Sequence, residues 1–317
     1  MSSEAKSKCK FKSKIGGQAL IEGIMMRGID KASMACRLPD GKIDLEVWNI
    51  KNGKNAPWFR KVPFIRGSAN FIVMLIEGYR CLSKSADKQM ADDGEEEMTK
   101  FEKWLDDKFG DKLMPILTVI ASIIGAILAI GLFVYIPVVI VKLFDDAINS
   151  KFLLSLIEGG IKIALFIIYI ALMSRMKDIR KTFEYHGAEH KSIFCYEGGE
   201  ELTVENVKKQ SRFHPRCGTS FIIIIFIVGI LVFTLVTWSS RLERALIKLA
   251  LMPIVIGIAY EIIRLAGRYD NPVTRIISAP GLWLQRLTTN EPNDGQMEVA
   301  IKALEAVIPD DKEEDRW

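Results

Sequence analysis

Residues 114–141 read Met114-Pro115-Ile116-Leu117-Thr118-Val119-Ile120-Ala121-Ser122-Ile123-Ile124-Gly125-Ala126-Ile127-Leu128-Ala129-Ile130-Gly131-Leu132-Phe133-Val134-Tyr135-Ile136-Pro137-Val138-Val139-Ile140-Val141, without one charged side chain. At about 1.5 Å of rise per residue, a helix of this length exceeds the ~30 Å hydrocarbon core of a bilayer. The run is therefore a transmembrane helix, and it sets the class of the whole chain. Three further segments follow the same pattern. Residues 152–173 are interrupted by Glu158 and Lys162, four apart and able to pair near one end. Residues 219–238 are uncharged, while 243–265 hold Lys248 and Glu261 near opposite ends, with Pro253 and Gly257 predicting a kink. Charges inside membrane helices can mark transport paths, but here each lies close enough to an end to snorkel. That leaves a transporter as the third choice of function.

Basic residues set the orientation. The connection between the second and third apolar segments carries Arg175, Lys177, Arg180, Lys181, Lys191, Lys208, Lys209, Arg212 and Arg216. The connection between the first two has only Lys142 and Lys151, at its edges. The positive-inside rule then puts both termini and the basic loop in the cytosol, weakly opposed by Arg241 and Arg244. Hydrophobic residues make up 49% of the 317, and the net charge is only +4. Because the bases follow membrane boundaries, specific DNA binding is not expected. The five cysteines, Cys9, Cys36, Cys81, Cys195 and Cys217, are odd in number and irregularly spaced, which argues against a disulfide framework and agrees with a cytosolic setting. Residues 1–14 are polar and lysine-rich with no apolar core after them, so no cleaved signal peptide is predicted.

Outside the bilayer the pattern changes. The stretch 16–28 contains Gly16, Gly17, Gly23 and Gly28 but fits neither a phosphate-binding loop nor a dinucleotide fingerprint. It reads as one short buried strand between glycine turns, with Glu22 or Arg27 lining a polar site as the functional alternative. Residues 32–38 and 42–50 alternate apolar and polar around Pro39-Asp40-Gly41, a hairpin signal. Residues 62–82 have helical periodicity, too broken by charge to span, and fit an interfacial helix or one packed under the membrane domain. An acidic run, 92–97, reads as a solvated linker, and Phe101, Trp104, Leu105 and Phe109 as an amphipathic stripe. Beyond the last span, 276–287 is apolar and interfacial in character. Thr289-Asn290-Glu291-Pro292 signals a helix start for the face Met297, Ile301, Leu304 and Ile308, and 310–315 is an acidic tail.

All three histidines fall in two short segments, Glu184-Tyr185-His186-Gly187-Ala188-Glu189-His190 and His214-Pro215-Arg216-Cys217-Gly218. His186 and His190, at i and i+4, leave one face of a helix a turn apart. The second segment has the form of a zinc knuckle, so His186, His190, His214 and Cys217 make a candidate tetrahedral set for Zn2+. The helix bearing the first segment is expected to continue the second span into the cytosol, with a short helix after Thr203 folding the loop back. His-x-x-Glu-His is also the inverted zinc-protease spacing, in which Glu189 is the candidate general base. Four protein ligands would close the shell and make the site structural. Three would leave room for water, with Glu189 or Glu184 as base. The plain alternative is interfacial hydrogen-bonding histidines with Cys217 as a small apolar residue, and Cys195 reads as packing.

With 16–28, Tyr185 to Lys191, His214 to Phe221 and Glu291 to Leu304 in view, the chain resembles the YqhQ-like family of bacterial membrane proteins. The resemblance implies a multi-pass protein of a bacterial cytoplasmic membrane and a metal-dependent enzyme. The expected fold is mainly α, with four transmembrane helices and a small α+β cytosolic assembly. Its expected parts are a β-containing region (1–61), an interfacial helix with acidic linker and amphipathic helix (62–112) and transmembrane helices 1–2 (113–174). They continue with the His/Cys metal loop (175–218), transmembrane helices 3–4 (219–267) and the cytosolic C-terminal part (268–317). The expected function is a zinc-dependent enzyme at the cytosolic face, a hydrolase or peptidase. The alternative is a non-enzymatic scaffold or membrane-protein biogenesis factor whose structural zinc shapes a docking surface. Such a surface would meet a translocon, a ribosome, anionic lipid or another membrane-protein partner.

Overall fold

The alternation around Pro39-Asp40-Gly41 folds as predicted, into strands β3 (Lys31–Arg37) and β4 (Ile43–Asn49), with Gly41 at φ 84° in the turn. Before them the glycine-rich stretch forms two strands where one was expected. These are β1 (Gly16–Leu20) and β2 (Gly23–Arg27), paired across a two-residue turn at Ile21-Glu22. The four make an antiparallel meander in chain order. The computed structural model describes residues 10–51, 56–90, 110, 113–144, 147–236, 241–311 and 314–316. The start of the basic lead-in with Cys9, the acidic run 92–97, the stripe from Phe101 to Phe109, Trp238 and the side chains of Arg241 and Arg244 lie outside what it describes.

Strand β2 is buried on both sides from Gly23 to Met26, which is why its sequence is apolar and not alternating up to Arg27. Leu20, Met25, Met34 and Cys36 pack toward Cys81 of helix α1 (Ile65–Met90). The opposite face, with Ile24, Met26 and Ala35, packs on a larger core. That core takes Tyr185, Ala188, Ile193 and Tyr196 from a central helix and Met297, Ala300, Ala303 and Leu304 from the C-terminal one. A buried aliphatic side chain of this kind contributes about 1.5–3 kcal/mol by leaving water.

The residues group into two compact units, Met1–Gln89 with Tyr169–Trp317, and Met90–Ile168. In the second unit α2 (Leu113–Ile130) runs through a π-helical turn (Gly131–Tyr135) into α3 (Ile136–Lys142), and α4 (Lys151–Met173) follows. Glu158, buried, accepts from Lys162 at 2.7 Å, the pairing their spacing predicts. In the first unit come α5 (Lys177–Glu197), α6 (Val204–Lys208) capped by Thr203, α7 (Gly218–Thr234), α8 (Arg241–Arg268), α9 (Pro272–Thr288) and α10 (Asp294–Glu305). Among the described residues, three helices are long and apolar enough to cross a membrane, at Val119–Lys142, Phe152–Met173 and Leu246–Arg268; Gly218–Thr234 is a shorter apolar helix.

Four expectations change. The helix of the second span does not continue to the histidines: α4 ends at Met173, and Met176 is extended (ψ 136°) before α5 restarts with Asp178 in its first turn. Polar Ser174-Arg175 ends the apolar helix, and the acid favours a new N-terminus there. Glu261 does not snorkel; Arg66 of α1 holds it at 2.7 and 2.5 Å, next to Gly257, where a Cβ would lie 2.5 Å from the Phe64 carbonyl oxygen. The C-terminal helix is capped by Asn293, in a capping box with Gln296, and not by Thr289 or Asn290. Residues 314–316 are no free tail: Ser13 bridges Arg316, and Asp315 is fully buried.

Candidate metal centre

Helix α5 is polar at its start and mostly buried from Tyr185 onward, with His186 and Phe194 half-buried, so its C-terminal turns form the middle of the molecule's first unit. Two glycines let neighbours approach. A Cβ at Gly187 would stand 2.1 Å from the Asn290 carbonyl oxygen, so the segment after α9 lies directly on this turn of helix. A Cβ at Gly17 would stand 2.7 Å from the Met25 carbonyl oxygen and 3.0 Å from the Glu189 carboxyl carbon. The backbone N–H of Gly17 donates to that carboxylate.

These approaches fix the imidazoles. His186 Nδ1 donates to the Thr288 carbonyl oxygen (2.7 Å), and His190 Nδ1 to that of Arg212 (2.5 Å). Each ring thereby keeps its proton on Nδ1 and turns Nε2, which bears the lone pair, inward, the arrangement that outer partners impose on metal-binding histidines. His186 Nε2 lies 3.1 Å from Cys217 Sγ. His190 Nε2 is buried and makes no hydrogen bond among the described residues. Cys217 is the N-cap of α7, its sulfur accepting from Thr219 N at 3.4 Å, where the helix end favours a thiolate. Burial alone would raise the thiol, but His190 and the Thr219 hydrogen bonds bring it below the ordinary cysteine value. Burial holds the His190 imidazole down at about 4, so it is neutral at neutral pH, as a ligand must be.

The ligand atoms of His186, His190 and Cys217 all lie within 4.8 Å of one another and form a group that can hold a metal ion. Around a tetrahedral zinc with bonds of about 2.0–2.3 Å, such atoms sit about 3.3–3.8 Å apart, so only small inward shifts are needed. The fit is supported further by Glu189. It shares the helix face, is 5% exposed, and has Oε2 buried with no hydrogen-bond partner among the described residues. Burial pushes this carboxyl up to about 7, only partly offset by His186.

His214 is near but apart. Its ring centroid lies 5.5 Å from that of His190, outside the three-donor group. Its Nδ1 accepts from Arg216 N (3.3 Å), and its Nε2 faces Glu197 Oε2 at 3.9 Å and Arg216 Nη2 at 3.3 Å. Gln285, fully buried, clamps the His214 backbone by accepting from its N–H and donating to its carbonyl, both at 2.7 Å. Burial favours a protonated Glu197, yet His214 and Arg216 hold its carboxyl at about 2. Glu184, the other candidate base, accepts from Gln296 Nε2 at 3.0 Å on the outer side of α5. Cys195 is packed, its thiol donating to the Glu201 carbonyl oxygen.

Of the residues that build this centre, sequence reading singled out the donors and Glu189 but not Thr288, Arg212, Gln285 or Glu197. Thr288 and Arg212 act through backbone carbonyls, which any residue supplies. Gly16-Gly17 was the available signal for the close approach to Glu189.

A family model described as "Protein of unknown function (DUF1385)" matches residues 62–310. The chain is 35% identical over 303 residues to "Uncharacterized protein YqhQ" of Bacillus subtilis (strain 168), covering 95% of this chain and 94% of that one. No solved structure matches it.

Proposed function

The chain belongs to the DUF1385 family of proteins of unknown function, and from that premise we propose that it is an integral membrane, zinc-dependent hydrolase working at the cytosolic face. His186, His190 and Cys217 would hold the ion, and Glu189 would be the general base. One observation carries the reading: a buried carboxylate, on the same helix face as the donors, with one oxygen that has no hydrogen-bond partner among the described residues. A structural centre has no need of such a group, and leaving it unpaired costs stability. Zinc held by these residues would supply Lewis acidity and a bound water of lowered pKa. Glu189 is then placed to take a proton and return it to a leaving group, while the Thr288 and Arg212 carbonyls keep the two rings oriented. The Glu197–Arg216 pair engages His214 and would leave the ion without a fourth protein ligand.

The test combines metal analysis, X-ray absorption and turnover on the detergent-purified chain. We expect about one zinc per chain with one sulfur, two nitrogens and one light atom as neighbours. Glu189→Gln should keep the metal and lose roughly 10²-fold or more in hydrolysis of a panel of activated carboxylic and phosphoric esters. Equal metal-dependent turnover in that variant removes the catalytic role. A shell closed by His214 as a third imidazole favours the scaffold with a structural zinc.

The membrane part of the proposal is four crossings with both termini in the cytosol. What supports it is the shared core of Ile24, Ala35, Ala188, Val207 and Leu304, which needs the sheet, α5, α6 and α10 on one side. The chain must therefore cross an even number of times between β4 and α5, and again between α6 and α10. With α8 as a candidate span, the shorter α7 supplies the paired crossing. The excess of positive charge on 175–216 orients that side to the cytosol.

A further inference from the structure

The metal centre opens on a cavity of about 290 Å³. Glu189, His190 and Cys217 form one wall. Two other features of the lining have no role in holding a metal: an excess of positive charge, and an apolar side that reaches into the membrane helices.

Four basic residues line the cavity, Lys14, Arg27, Arg60 and Arg216, against Glu189 as the acid among the lining residues. Arg27 pairs with Glu77 and Arg216 with Glu197, but both carboxylates stand outside the lining. The Lys14 ammonium donates to the Glu314 carbonyl oxygen at 2.7 Å. Arg60 is fixed by Asn70 Oδ1 at 2.7 Å and by the Lys51 carbonyl oxygen at 2.9 Å. Burial, and then the charge of Arg60, lower the Arg27 guanidinium to about 10, so the two cations feel one another in this space. An oxyanion between them would relieve that repulsion and accept from both forks.

The apolar side is made by Phe71 and Met74 of α1, Phe221 of α7, and Tyr260 and Ile263 of α8. The Phe71 and Phe221 rings are 5.7 Å apart, and Phe221 and Tyr260 6.5 Å. Tyr260 and Ile263 lie in the span Leu246–Arg268, so this side is continuous with a membrane-crossing helix. Helix α1 is apolar on its other face too, with Ile72, Leu75, Ile76 and Tyr79 each 54–58% exposed. Met74 lines the cavity and is still 45% exposed, so it stands at the rim. A helix that walls a cavity with one apolar face and leaves the other bare belongs at a lipid surface.

We propose that this cavity binds an anionic lipid, a phosphate-class headgroup on an alkyl chain, with the headgroup between Arg27 and Arg60 and the chain along Phe71, Met74, Phe221 and Ile263. This deepens the hydrolase reading by naming its substrate class, and it rests on that reading for the chemistry but not for the binding.

The full chain in a nonionic maltoside detergent provides the test, by calorimetric titration with dodecyl phosphate, dodecylphosphocholine and inorganic phosphate. Dodecyl phosphate is expected to bind at least about tenfold more tightly than either other probe, a difference of ~1.4 kcal/mol. Arg60→Gln should weaken it at least about tenfold, and Arg275→Gln, an exposed cation on α9, should leave it unchanged. Met74→Trp, which narrows the rim, should weaken it as well, and keeps the test open if the arginine variant does not fold. Binding should survive chelation, so absence of a metal would defeat the hydrolase reading and leave this one standing. Equal binding of dodecylphosphocholine removes the anionic headgroup. Equal binding of inorganic phosphate makes the ligand a free anion and overturns the lipid. Wild-type affinity in both variants overturns the site.

Discussion

Gly187 sits between the candidate ligands His186 and His190, two residues before Glu189, and its missing side chain is what allows the 288–290 segment to lie on α5. Asn290 N donates to the Phe183 carbonyl oxygen at 2.9 Å, and two residues earlier the Thr288 carbonyl holds the His186 ring. In Gly187→Ala the new Cβ would meet backbone at 2.1 Å, and backbone cannot rotate away. The segment must lift, taking with it the acceptor that fixes the His186 tautomer. We expect zinc affinity to fall about 10–100-fold, the usual effect of losing an outer partner. Gly16→Ala, with nothing within 4 Å of its Cβ, should bind as wild type. A competition titration with a chromogenic chelator reads both, and wild-type affinity in Gly187→Ala would show that the carbonyl contact does not matter. The donors at this scale were legible because chemistry restricts them: few residue types bind zinc, and i, i+4 spacing puts two on one face. His214 met the same criteria, yet its ring turns to Glu197 and Arg216. Side-chain direction after a Pro-containing turn is decided by packing from α9 through Gln285, which no local pattern in 214–218 records.

Elements were readable where local and tertiary preferences agree. The β3–β4 hairpin has alternation on both arms and a glycine at the turn, and helix α6 has its threonine cap. The β1–β2 turn was missed because it has no turn residue. Glu22 takes φ 50° there, held by Lys181 and by Tyr185, whose phenol donates to it at 3.2 Å. Long-range contacts impose that conformation. The C-terminal residues, read as tail from charge alone, are an element of the same kind. Lys14 N donates to Asp315, joining segments about 300 positions apart in the chain. Burial pushes the Asp315 carboxyl up to about 6 from an ordinary 3.8, against the Lys14 hydrogen bond. A carboxyl raised on folding keeps its proton longer in the native state, so the unfolded state binds fewer protons between those values. Stability should therefore fall as pH rises from about 4 to about 6 and stay level above. The loss is about 2 kcal/mol after discounting the full shift for screening. Asp315→Asn should lack this slope, matching wild type near pH 4 and exceeding it at pH 7. Thermal melts in detergent across that range decide it, and parallel profiles for the two proteins would mean that Asp315 does not carry the proton.

Crossing number belongs to the whole molecule, because no single helix determines it. Helix α7 alone, at 17 residues and about 25 Å, is marginal for a ~30 Å core. Its assignment as a span comes from elsewhere: α10 packs on α5 and the sheet, so whatever α8 crosses must be crossed back. The same constraint ties the run at Val119–Lys142 to Phe152–Met173, since β1–β4 and α5 share one core. Cysteines placed one at a time in a Cys9→Ser background test this, because the described native cysteines are all buried. Ser150→Cys and Leu235→Cys lie in exposed connections on the far side of each proposed pair. Asp40→Cys and Lys208→Cys lie on the exposed surface of the side that holds the metal centre. A membrane-impermeant maleimide should label the first two in intact cells, and the second two only after the membrane is opened. Labelling at 150 but not at 235 would mean that α7 and α8 enter and return without crossing. The hairpin would then be re-entrant, the shared core would still be satisfied, and only the first pair would span. Labelling of 208 in intact cells would reverse the orientation and put the centre outside, where a reduced Cys217 thiolate would need another explanation.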